Sequence, residues 1–183
     1  MKFVFRMPHM NPKVAFWFWL FVSGFVGGLL HEVGHYIAGL LFGLEPTLAF
    51  QSGGTVDYKV PPQGLIEVGA LMAGPVFTWI TALFSFFLHK SFKWIGFLSF
   101  ALWNGLFRLS VLIDGQRSDE GKTSTLLGTP FLFEGIAVGI SLGLCVWFLR
   151  HQKIVSSNLR WLPVYFIVAG LGFRLSFDLF ALF

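Results

Sequence analysis

The sequence predicts an all-α polytopic membrane protein of about five transmembrane helices, with a short β-hairpin after the first. Three observations carry that expectation. Of 183 residues, 55% are hydrophobic and only 12% charged, about half the charged share of a soluble domain. The charges gather in short segments. Between them lie apolar runs of roughly 20 residues, the length that crosses a hydrocarbon core. The loops are too short for a soluble domain, so one membrane-embedded unit, 1–183, is expected. The pI near 9.5 does not imply nucleic acid, because the basic residues sit between apolar runs, where they orient a membrane protein. Cys145, alone, excludes an internal disulfide.

A basic tail with Lys2, Arg6 and Lys13 comes first. The run after it has no small-residue cleavage pattern, so a retained span is expected rather than a signal peptide. That first span runs from about Val14 to Gly43 and is thinned by Gly24, Gly27, Gly28, Gly34 and Gly39, which let neighbouring helices approach. From Leu44 to Leu65, Thr47–Gln51 and Thr55–Val60 flank Ser52-Gly53-Gly54, reading as two short strands around a turn. The second span covers about Ile66 to Leu88, with Ala73-Gly74-Pro75 breaking its regularity. The third covers about Phe92 to Ile113, carries Asn104 and Arg108, and ends at Asp114-Gly115. A polar loop, Gln116 to Thr129, leads to the fourth span at about Pro130 to Leu149. A basic loop precedes the fifth, about Trp161 to Leu182, where Arg174 and Asp178 can pair at i, i+4.

Chemistry concentrates in His31-Glu32-Val33-Gly34-His35. In this H-E-x-x-H pattern, positions i and i+4 share one helix face, so both imidazoles can reach one metal ion. Glu32, between them, is placed to act as general base toward a water. Ionisable groups are costly in a bilayer and mark function by default. A catalytic zinc usually takes three protein ligands. The third span runs parallel to the first, so Asp114 at its carboxyl end reaches the same side and is the preferred third ligand; Asp119, Glu120 and Glu134 are its rivals.

H-E-x-x-H on a membrane helix, Gly74-Pro75 in the second span and Ile113-Asp114-Gly115 ending the third together resemble the site-2 protease family of intramembrane zinc metalloproteases. The resemblance covers about residues 14–117, a three-helix catalytic core; 130–183 would add two helices. It implies Zn2+ held by His31, His35 and Asp114, with Glu32 as the catalytic base. It implies cleavage of transmembrane protein substrates within or near the bilayer. The family's second-helix motif often reads G-P-x-x-N; here Thr78 stands at the asparagine position, a hydroxyl able to hydrogen-bond substrate. Asn104 is a further amide suited to substrate backbone. Val56 lies in the hairpin, whose open edge could take an extended substrate as an added strand.

Eight Lys and Arg on one side against three on the other place the amino terminus in the cytoplasm by the positive-inside rule. The resemblance implies the opposite orientation, with the metal toward the cytoplasmic face. The expected partners are a transmembrane substrate and the lipid bilayer, not nucleic acid, and the sequence leaves room for a regulatory membrane partner. The competing reading is a non-catalytic membrane metal-binding or scaffold protein. A prenyl-protein-processing peptidase would need a later E-x-x-x-D-like ligand pattern, and Glu134 is followed four residues on by Val138.

Overall fold

The computed structural model describes residues 12–49 and 55–151, together with 164, 167, 170 and 171. Helix α1, Pro12–Leu41, opens on a proline, which suits a first helical turn because its missing N–H would lack a partner there anyway. It stops at Gly43, whose φ of 69° is left-handed, while the Leu44 amide bonds back to the Gly39 carbonyl at 2.8 Å. The chain then forms an antiparallel hairpin from β1, Pro46–Ala49, and β2, Thr55–Tyr58, with Leu48 opposite Val56. The expected hairpin is therefore present with slightly shorter strands. Its Ser52-Gly53-Gly54 turn lies outside the described residues.

Helix α2, Leu65–Phe92, runs through Pro75 without interruption, so the expected break at Ala73-Gly74-Pro75 is not found. A proline removes one amide donor but does not end a helix whose neighbours pack closely around it. Lys93, at φ 56°, closes α2, with its amide bonded to the His89 carbonyl.

Helix α3, Ile95–Phe107, is shorter than the expected third span. A 3₁₀ turn, Arg108–Ser110, interrupts it before the single turn of α4, Val111–Asp114. Ten of its 13 residues are buried, which fits its all-round apolar sequence. It is the central post of the fold, packed against α1, α2 and α6, Leu132–His151. Trp103, Leu106 and Phe107 meet Leu20 of α1 and Cys145 of α6. Leu98 and Leu102 meet Phe86 of α2 and Phe148 of α6.

The stretch expected as a polar loop contains α5, Asp119–Leu126. Ser118 caps it, its hydroxyl accepting from the Gly121 amide at 3.0 Å and donating to the Gly115 carbonyl at 2.7 Å. Helix α5 lies against α2 and α6.

Helices α1, α2 and α6 are each long and apolar enough to cross a membrane; α3 is apolar but shorter. Large apolar side chains such as Leu41, Ile80, Phe84 and Phe87 face outward, as a lipid-facing surface requires. The expected fifth span, with Arg174 and Asp178, falls almost wholly outside the described residues.

Candidate metal centre

The two histidines lie one turn apart on α1, and both are buried. Close approach of α2 seals them in. Gly34 of α1 faces Ala73, Gly74 and Phe77, leaving no room for a Cβ. A Cβ on Gly74 would in turn run into both imidazole rings. The Gly-Pro pair thus allows α2 to lie directly on the histidines without breaking the helix.

Each imidazole is backed by α2 through its Nδ1. That of His35 lies 2.7 Å from the Ala70 carbonyl, which can only accept, so the ring donates from Nδ1. That of His31 lies 3.2 Å from the Thr78 hydroxyl. Thr78 spends its own proton on the Gly74 carbonyl at 2.9 Å, so it accepts from His31. Both neutral rings therefore carry their lone pairs on Nε2. Such backing sets the tautomer and orientation of a ligating histidine.

The bare Nε2 atoms face each other at 3.1 Å. Asp119 Oδ2, at the start of α5, lies 3.1 Å from the first and 3.4 Å from the second. Three electron-pair donors thus converge, with no proton of their own between them in the neutral form. A proton could bridge two of them, whereas a metal ion serves all three. A tetrahedral zinc with bonds of about 2.0–2.1 Å spaces its ligands by about 3.3 Å, close to the three separations found here. His31, His35 and Asp119 could therefore hold a metal.

Further ionisable groups surround the three donors. Glu32 is buried on α1 and interacts electrostatically with His35, Asp119 and Arg108. Glu120 is fully buried and bonds Arg108 at 3.1 Å. Three carboxyl groups, that of Asp119 included, and one guanidinium thus crowd together, and burial pushes the Glu120 carboxyl up against the pull of Arg108. Burial pushes the Asp119 carboxyl up, but a proton taken up at the facing imidazole Nε2 atoms of His31 and His35 would outweigh it and hold the group well below its usual range. Tyr58 of β2 stands beside the cluster, its hydroxyl donating to the His35 carbonyl at 3.2 Å. Burial, and then the charges of Glu32 and Asp119, push the phenol up to about 12, so it remains a protonated donor.

The sequence-derived candidates fall into three groups. His31, Glu32 and His35 gather at the cluster. The carboxylate brought to them is Asp119; the side chain of Asp114 lies outside the described residues. Of the other rivals, Glu120 pairs with Arg108, and Glu134 accepts a short hydrogen bond from Ser124. Thr78, fully buried, stands behind His31. Asn104 is also fully buried, its amide donating to the Phe100 carbonyl at 2.9 Å. Val56 sits half-buried on β2. A helix at Asp119 was not expected, although Ser118 followed by two acidic residues is a helix-start pattern.

Thr78→Val keeps the shape of the side chain and removes the acceptor for His31. Metal affinity should fall about 10- to 100-fold, as for other lost outer-shell partners, measured by competition with a chromophoric chelator. An unchanged affinity would show that Thr78 does not orient the ring.

Compared with known proteins, the chain matches no family model, no curated protein and no solved structure.

Proposed function

We propose that this chain is a multi-pass membrane zinc endopeptidase that cuts transmembrane protein substrates within or near the bilayer. The observation that supports this best is the convergence of two unprotonated Nε2 atoms and one carboxylate oxygen, with Glu32 buried beside them on the same helix. His31, His35 and Asp119 would hold the ion. Zinc in that seat supplies Lewis acidity, polarising a carbonyl and activating water near neutral pH.

The chain's own residues supply the rest. Glu32 takes the proton of the attacking water and returns it to the leaving amine. Ala70 and Thr78 keep the imidazoles facing inward. Tyr58 ties the hairpin to α1 at His35, which brings a strand edge beside the cluster. A helical substrate hides its peptide bonds in internal hydrogen bonds and must unwind to be cut. Among the described residues the sheet has two strands, β1 and β2, and an unwound segment can add to it as a further strand near Val56.

The direct test is metal removal. In proteoliposomes holding a transmembrane peptide substrate, a zinc chelator should stop cleavage, and added Zn2+ should restore it. Cleavage that survives chelation rejects the metallopeptidase reading. A chain that binds zinc tightly yet cuts no transmembrane substrate supports the scaffold alternative.

A further inference from the structure

Arg108 is an awkward neighbour for a metal seat. It lies in the 3₁₀ turn after α3, is buried, and stacks over the Phe107 ring at 4.4 Å. Its Nη1 reaches 3.8 Å from Asp119 Oδ2, the same oxygen that faces both histidines. An arginine prefers a bidentate bridge to a carboxylate. Such a bridge to Asp119 would turn its lone pairs away from the histidines and place a fixed cation where a metal should sit.

Glu120 stands in the way. Its Oε1 takes the same Nη1 at the shorter distance of 3.1 Å, from a side chain with no solvent exposure. The bridge between them is single rather than double: Arg108 Nε and Glu120 Oε2 have no hydrogen-bond partner among the described residues. The guanidinium therefore has spare donor capacity, and the Glu120 bond is the shorter of its two carboxylate contacts. Position also matters on the α5 side. Gly121 follows directly and packs on the Gly115–Gln116 backbone, where a Cβ has no space, so the first turn of α5 has little freedom to shift. Asp119 and Glu120 are thus presented side by side, one to the histidines and one to the arginine.

We propose that Glu120 is a positioning residue that tethers Arg108, keeping the guanidinium off Asp119 so that the Asp119 oxygen stays available to a metal. The proposal rests on the metal reading of the cluster. A buried ion pair is seldom a net source of stability, and apolar replacement of both partners is often tolerated, whereas removing one partner is costly. That asymmetry makes the tether testable. With Glu120 neutralised, Arg108 is released toward Asp119. With both groups replaced by apolar side chains, no competing cation remains.

The experiment measures zinc affinity by chelator competition on the purified full chain in detergent, for wild type, Glu120→Gln, and the double variant Arg108→Met with Glu120→Met. Circular dichroism confirms that each remains helical. Glu120→Gln should weaken zinc binding at least tenfold, and the double variant should return to within about threefold of wild type. A purely structural role predicts that the double variant binds zinc as weakly as the single one or more weakly, and that result overturns the tether. So does a Glu120→Gln variant with wild-type affinity. A wild-type chain that binds no zinc at all overturns the metal reading, and the tether with it.

Discussion

Asp119→Ala is expected to empty the metal seat: zinc per purified chain should fall from about one to near zero, because two imidazoles alone do not hold a catalytic zinc. The physical basis is the position of Asp119 Oδ2, 3.1 and 3.4 Å from the two Nε2 atoms. Asp119→Asn is the sharper variant, since it keeps the shape and removes the charge. Two unprotonated imidazoles would then face a neutral amide, and an ion bound there would lose the one carboxylate that the described residues bring to it. The companion measurement is Asp114→Ala. The sequence motif Ile113-Asp114-Gly115 makes Asp114 the natural candidate, and among the described residues the carboxylate beside the histidines is that of Asp119. Full zinc in Asp114→Ala together with loss in Asp119→Ala assigns the third position to Asp119. The reverse pattern returns it to Asp114.

Glu32→Gln is expected to separate chemistry from binding. Zinc should stay bound, because Glu32 is not among the three converging donors. Cleavage of a transmembrane peptide should fall by about 10²- to 10⁴-fold, the usual contribution of a positioned general base. Glutamine fills the same buried space but cannot accept the water's proton. A variant that cuts at the wild-type rate would reject the endopeptidase reading while leaving the metal seat intact. Loss of zinc in this variant would instead move Glu32 into the ligand set.

Local features of the candidate site were readable along the chain. The four-residue spacing of His31 and His35 is a property of any helix and needs no partner to be recognised. Gly74-Pro75 was visible, but its purpose was not. The sequence suggests a broken helix, while the structure has an unbroken one whose missing Cβ makes room for two imidazoles. Thr78 looked like a group for substrate because its hydroxyl sits in a motif position. Only the crossing of α1 and α2 decides that the hydroxyl meets His31 Nδ1. The third span was expected to run unbroken to Ile113, whereas a 3₁₀ turn at Arg108 ends α3 and aims Arg108 inward.

By itself, the sequence determined what can be encoded locally: apolar runs long enough to cross a membrane, about five by its own pattern with three helices of that length among the described residues, a hairpin between the first two, and a pair of histidines on one helix face beside a carboxylate. The tertiary structure alone decided which distant carboxylate approaches them, which α2 groups back each ring, and how Arg108 is held aside. The reason is sequence separation. Asp119 meets His31 across 88 positions, so its approach depends on where Ser118 starts α5 and how α5 lies against α2, not on any nearby residue. Periodicity fixes which residues share a face of one helix. Docking fixes which faces meet.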